Sequence, residues 1–284
     1  MDPYLLIGPF HIEIENYSPL RSIFHDFFTE GEIDWMILYS LPRLSTARRI
    51  ESDRNRKAFE RYGDARAGYS VRKTVQAWIT DITYNEQEII HLANMDNADP
   101  VYEVVPLNEP YSFTIKNEKL FDISVRIGLA TKLNLTTRYG SSRYQTTNYG
   151  LGGLVETHVD PWGYEQGTRL PEERKHLVTR GDYIATFMGW LQDVQLGGGT
   201  GFPSKGFQGR ILPRKGSAAF WVNLLSCHRK DARSLHGGCP VLKGSKWIVN
   251  KWVYSWDQWK RWPCHTKKFE TIEPFSGMSS FDYG

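Results

Sequence analysis

Apolar positions along the chain keep two different rhythms. In the first half they recur at helical spacing: residues 19–39 carry such a period, 45–62 read as a charged amphipathic helix, 85–95 as a third helix, and 121–133 repeat the pattern. A Pro- and Asn-containing excursion at 97–110 reads as a loop insertion. From Tyr144 onward the rhythm shortens to β-type runs separated by glycine clusters, at 183–188, 217–222 and 247–254. That spacing predicts an antiparallel sandwich or barrel, with the helices packed outside it. Residues 267–284 have no periodicity and read as a frayed tail.

Composition narrows this picture. The 284 residues are 40% hydrophobic and 14% aromatic, enough for the core of one globular unit. A formal net charge of +3 gives no global case for nucleic-acid binding, and no apolar run approaches the length that spans a bilayer. The basic stretch at 43–73 is interleaved with Glu51, Asp53, Glu60 and Asp64, which makes it a solvated helical face rather than a polyanion patch. The first residues have no basic leader, so the protein either stays in the cytosol or the sequence begins inside a longer precursor. Cys239 and Cys264 flank the last strand-like run and Cys227 stands in a polar loop, which allows one bridge and one free thiol. The sequons at Asn16 and Asn134 matter only in a secreted protein.

Candidate chemistry begins at His158-Val159-Asp160. Residues i and i+2 of a strand point to one face, so an imidazole and a carboxylate converge there. A second histidine, His236, follows Ser234-Leu235 and precedes Gly237-Gly238-Cys239-Pro240. Two histidines and one carboxylate make the facial triad that suits non-haem Fe(II) and leaves positions open for O2. Lys246 follows at the head of an aromatic strand. A lysine entering a buried strand beside such a triad can pair with the distal carboxylate of a 2-oxo diacid. A zinc hydrolase is disfavoured because no general base stands beside this set.

These residues sit in a framework that resembles the catalytic domain of the animal collagen prolyl 4-hydroxylase alpha subunit, a family of 2-oxoglutarate oxygenases. The resemblance runs from about Pro9 to Cys264 and is most specific at Asn148-Tyr149-Gly150-Leu151-Gly152-Gly153, at residues 197–203 and 217–224, and at Cys239-Pro240-Val241-Leu242 through Lys246-Trp247 to Asn250-Lys251-Trp252. It implies an α+β fold: a double-stranded β-helix (jelly-roll) core at about 140–264, a helix-rich support at about 18–133 and an irregular tail at 265–284, together one catalytic domain. It also implies that His158, Asp160 and His236 bind Fe(II) and that Lys246, Tyr149 and Thr200 hold 2-oxoglutarate. The implied reaction is hydroxylation of peptidyl proline at C4, with release of succinate and CO2 and with L-ascorbate as reductant.

The resemblance pairs Cys239 with Cys264, a bridge worth about 3 kcal/mol in the chain-entropy picture. It would place the protein in the endoplasmic reticulum lumen behind an upstream leader, with protein disulfide isomerase as beta subunit. The positions that grip peptide in the family have drifted: Val155, Tyr183 and Tyr254 stand where a tyrosine, an arginine and a histidine are usual, and only Trp252 keeps its identity. The sequence begins where the family's catalytic domain begins, without its N-terminal dimerisation and helical peptide-binding regions, which reads as a fragment or as a paralogue that recognises a short site directly. Two further readings follow from the drift: an oxygenase acting on a different peptide, and a catalytically silent paralogue that only binds.

Overall fold

The computed structural model describes residues 11–46, 74–84, 113–115, 117–137, 139–162, 177 and 180–262. The elements in chain order begin with β1 (His11–Tyr17), β2 (Leu20–His25), α1 (Glu30–Ser40), β3 (Ser45–Thr46), β4 (Thr74–Ile79), β5 (Ile82–Tyr84), β6 (Phe113–Ile115) and α2 (Glu118–Thr131). There follow β7 (Tyr144–Tyr149), β8 (Val155–His158), β9 (Tyr183–Trp190), β10 (Leu196–Gly197), β11 (Thr200–Phe202) and β12 (Gly209–Ile211). The last are β13 (Ala218–Val222), β14 (His236–Gly238), β15 (Val241–Lys243) and β16 (Lys246–Tyr254).

Two antiparallel sheets face each other. The larger has eight strands in the order β1-β2-β13-β9-β16-β7-β4-β3, and the smaller has four in the order β12-β11-β14-β8. Between them lies an apolar layer that includes Met188, Trp190 and Ile248 from the large sheet and Phe202, Phe207 and Ile211 from the small one. The other face of the large sheet packs under the helices, where Ile33 and Met36 of α1 and Leu120, Ile123 and Ile127 of α2 meet Phe24, Phe187 and Val249. This is the α+β, double-stranded β-helix architecture expected. Because the central strands are covered on both faces, they read as continuous apolar runs, such as the fully buried Ala218–Val222.

Both helices start where the sequence provides a cap. Thr29 and Glu32 form a reciprocal capping box on α1, and the Asn117 side chain accepts from Leu120 N at 3.2 Å on α2. Glu32 also pairs with Arg126 at 2.8 Å, tying α1 to α2. α2 ends at Lys132 in the left-handed region, φ 57°.

The single helical period expected at 19–39 is corrected. Residues 20–25 form strand β2, and the helix begins only at Glu30. Leu20 through Phe24 are all buried, with neighbours on both faces, so the pairing of β2 with β1 and β13 overrides the local period. Ser45 and Thr46 are likewise strand rather than helix. The remainder of the helix expected at 45–62, the helix at 85–95, the loop at 97–110, most of the basic stretch at 43–73 and the tail lie outside the described residues. The pattern at 121–133 is borne out by α2.

The two sequon asparagines have their amide nitrogens engaged: Asn134 donates to Asp257 Oδ2 at 2.6 Å and Asn16 to the Pro19 carbonyl at 2.7 Å.

Candidate metal centre

β8 and β14 bring the two histidines together. His236 stands opposite His158 in register, and their ring centroids are 4.5 Å apart. Each histidine leans its Nδ1 on a carbonyl two residues upstream, His158 on Glu156 O at 2.8 Å and His236 on Ser234 O at 3.0 Å. A carbonyl can only accept, so Nδ1 carries the proton and Nε2 presents its lone pair. The 3-10 turn before β14 is set by Asp231, whose side chain accepts from Arg233 N at 3.0 Å while its carbonyl accepts from Ser234 Oγ at 2.8 Å.

Asp160 lies just past the end of β8, not within the strand as expected. Its carboxylate nevertheless reaches both rings, with Oδ1 3.5 Å from His158 Nε2 and Oδ2 3.8 Å from His236 Nε2. The segment after it is held by Asp182, which accepts from Trp162 N and Tyr183 N, both at 2.8 Å. Burial alone would raise the Asp160 carboxyl, but His236, His158 and the Thr186 hydroxyl outweigh it and hold the group below the usual carboxylate range. Burial lowers His236 against the pull of Asp160, which favours the neutral, ligating imidazole.

The three donor atoms lie within 4.8 Å of one another. Two neutral Nε2 atoms and an ionised carboxylate, open to a cavity of ≈ 730 Å³, fit a divalent transition metal with free positions.

Lys246 opens β16 in register with Tyr149. It is 1% exposed, and among the described residues no carboxylate pairs with it. Its Nζ is 3.5 Å from Thr200 Oγ1 and 5.2 Å from the centre of the Tyr149 ring. Burial pulls its pKa down to about 8, opposed by Cys239. A buried ammonium without a counter-charge is costly, and all three side chains border the cavity that holds the triad, so an anionic group arriving there supplies the missing partner.

The substrate-facing positions divide. Val155, Tyr183 and Trp252 line the cavity. Tyr254 stacks behind Tyr183, centroids 5.6 Å apart at 18°, and is buried away from the cavity lining. Burial raises the Tyr183 hydroxyl well above the ordinary phenol range and raises the Tyr254 hydroxyl as well.

Two features of the wall went unread in the sequence. Trp78, 39% exposed on β4, faces Trp252 with centroids 5.9 Å apart. Gln76, Gln145 and Asn250 form a ladder of side-chain amides across β4, β7 and β16, at 3.0 and 3.3 Å. The alternation Thr74-Val75-Gln76-Ala77-Trp78-Ile79 carried the strand signal.

Among the described residues Cys239 forms no disulfide, and Cys264 lies outside them. Among the described residues no helix is long and apolar enough to cross a membrane.

Several known proteins have similar sequences. Mouse prolyl 4-hydroxylase subunit alpha-3 is 28% identical over 93% of this chain and 39% of its own length. Human prolyl 4-hydroxylase subunit alpha-1 is 37% identical over 55% of this chain and 27% of its own. The chain thus spans about two fifths of the length of the curated relatives it matches. Among solved structures, the 2OG complex of viral collagen prolyl hydroxylase vCPH from Paramecium Bursaria Chlorella virus-1 aligns over 84% of this chain and 97% of its own, at 18% identity and a TM-score of 0.48. Residues 144–254, which include the triad and Lys246, match the 2OG-Fe(II) oxygenase superfamily.

Proposed function

We propose that this protein is an Fe(II)- and 2-oxoglutarate-dependent dioxygenase that hydroxylates peptidyl proline at C4 in a procollagen-like chain, with release of succinate and CO2. The observation that carries the reading is Lys246, a buried cation without a carboxylate partner among the described residues, bordering the same cavity as an ionised Asp160 and two lone-pair-presenting histidines.

His158, Asp160 and His236 would hold the iron, and Lys246 with Thr200 and Tyr149 the cosubstrate. Bound there, the pair supplies oxygen activation and the electrons released when the oxo acid is decarboxylated. Lys246 neutralises the distal carboxylate, and the Thr200 hydroxyl beside it offers a further hydrogen bond. Met188, Trp221 and Ile248 give the cavity an apolar lining that would exclude water from the reaction. Trp78, Trp252 and Tyr183 form an aromatic wall at the mouth, a surface that suits the flat, preformed faces of a proline-containing segment.

The finer parts of the reading go with it as proposals. They are ascorbate as reductant, the endoplasmic reticulum lumen, a Cys239–Cys264 bridge, and protein disulfide isomerase as beta subunit. The relatives' description as alpha subunits supports a companion chain.

The test is succinate release with Fe(II) and 2-oxoglutarate on (Pro-Pro-Gly) peptides, with mass spectrometry of the peptide. The expected result is stoichiometric succinate and peptide gaining one oxygen, both abolished in His158→Ala. Succinate with oxygen gain only on peptides from a proteome-derived library would replace the procollagen substrate with another. No succinate on either would leave a binding protein.

A further inference from the structure

The two histidine ligands and Asp160 are oriented in different ways. Each histidine is held by a carbonyl of its own segment, Glu156 O or Ser234 O. Asp160 stands beyond the end of β8, and its carboxylate is held from the opposite sheet. Thr186 of β9 places Oγ1 2.5 Å from Asp160 Oδ2, and Asn223, the residue after β13, places Nδ2 2.8 Å from that same Oγ1.

The direction of this chain follows from donor counting. An ionised carboxylate only accepts, and a hydroxyl has one proton to give. Thr186 therefore donates to Asp160, and its lone pairs are left to receive the Asn223 amide. That fixes the amide's orientation as well, with its nitrogen towards Thr186. The chain is rigid at each link. Thr186 is 1% exposed, and Asn223 is fully buried, its backbone N donating to Ile184 O at 2.8 Å and its carbonyl accepting from Asp231 N at 2.9 Å. Hydrogen bonds in series polarise one another in such dry surroundings.

We propose that Thr186 and Asn223 are positioning residues that set the metal affinity of the centre, by holding the Asp160 carboxylate in its ligating attitude through a one-way relay from Asn223 to Thr186 to Asp160. The inference rests on the reading of His158, Asp160 and His236 as a divalent-metal site. A relay of this kind acts on the ligand before any cosubstrate arrives. Its signature is therefore in the affinity for metal alone, not only in turnover.

The experiment is calorimetric titration of Co(II) into the full metal-free chain without 2-oxoglutarate, alongside the melting temperature of each metal-free variant. Thr186→Val, which keeps the shape and removes the hydroxyl, weakens Co(II) binding about 10- to 100-fold, the usual range for loss of a group that orients a ligand. Thr186→Ser restores it to within about threefold, because the hydroxyl is all the relay needs. Asn223→Ala weakens binding less, and adds nothing in the Thr186→Val background, since groups in one chain are non-additive. Wild-type Co(II) affinity in Thr186→Val, failure of that variant to fold without metal, or additive losses in the double variant would overturn the relay in favour of a purely structural hydroxyl. Wild-type protein that fails to bind Co(II), or binds it as well in His158→Ala, would instead overturn the metal reading itself.

Discussion

Lys246 and Lys251 lie on one strand an odd number of residues apart, and so point to opposite faces of the large sheet. Both are buried to 1% exposure. Lys251, on the helix side, pairs with Asp81 at 2.5 Å and sits 4.1 Å from the centre of the Tyr144 ring. Lys246, on the cavity side, has no acid partner among the described residues. The same residue type in the same strand thus meets two environments, one neutralised within the fold and one facing the cavity.

For Lys246 the sign of the pH dependence is set by burial, which lowers its pKa from 10.5 to about 8. Between those values the unfolded chain holds more protons than the folded one, so the apoprotein gains stability from this group as pH rises through about 8. Below that window the buried charge costs on the order of 3 kcal/mol. Lys246→Met is therefore expected to melt higher than wild type at pH 7, to lose that advantage towards pH 10, and to bind no 2-oxoglutarate. Melting curves across pH with and without 2-oxoglutarate check all three. Wild-type affinity for 2-oxoglutarate should also fall above about pH 8, as the ammonium is lost.

Asp81 gathers Lys251 and the Ser124 hydroxyl, the latter at 2.7 Å, and through them α2 is bonded to the sheet. Asp81→Asn leaves the Lys251 charge buried and unpaired, and should destabilise the protein by about 3 to 5 kcal/mol. Asp81→Leu with Lys251→Met should recover a large part of that loss, because neither charge remains. Urea unfolding distinguishes the two outcomes.

The aromatic wall makes a prediction about substrate alone. Trp78→Ala and Trp252→Ala remove its two facing indoles, and each should raise the peptide KM by about 10-fold or more, given about 1 to 3 kcal/mol for a stacking aromatic at a contact. The affinity for 2-oxoglutarate should stay within about twofold, since neither indole borders Lys246. Peptide titrations at saturating cosubstrate separate these effects.

Arg21 of β2 reaches the small sheet. It is buried, donates to Phe207 O at 2.9 Å, and lies 4.6 Å and 4.4 Å from the centres of the Phe202 and Phe207 rings. Phe202 in turn packs against the His236 ring at 5.7 Å. Arg21→Met should cost about 2 kcal/mol through lost cation–π contact and an orphaned carbonyl. Loosened support for His236 should also weaken metal binding measurably, which titration of the folded variant would read.

Much of the core was legible in the sequence. The glycine-separated runs at 183–188, 217–222 and 247–254 lie in strands β9, β13 and β16, and the helical period at 121–133 is in α2. The N-terminal part was read less well. Residues 20–25 carry a helical period yet form a strand, because their apolar residues are satisfied by two neighbouring strands at once, and one of them, β13, lies far along the chain. Val155, Tyr183 and Trp252 border the cavity, while Tyr254 lies behind Tyr183 where the pairing of β9 and β16 shifts register.

What the sequence supplied by itself was the identity of the candidate site residues: two histidines and one aspartate as possible metal ligands and one lysine, within a framework of glycines and tryptophans. It could not say how the aspartate is held or what surrounds the lysine. Thr186, Asn223, Trp78 and Gln76 carry no motif, and their roles exist only once β4, β9 and β13 lie beside β16 and across from β8. Ligand identity is a property of residue type and is written locally, whereas orientation and the absence of a counter-charge are properties of packing between distant segments.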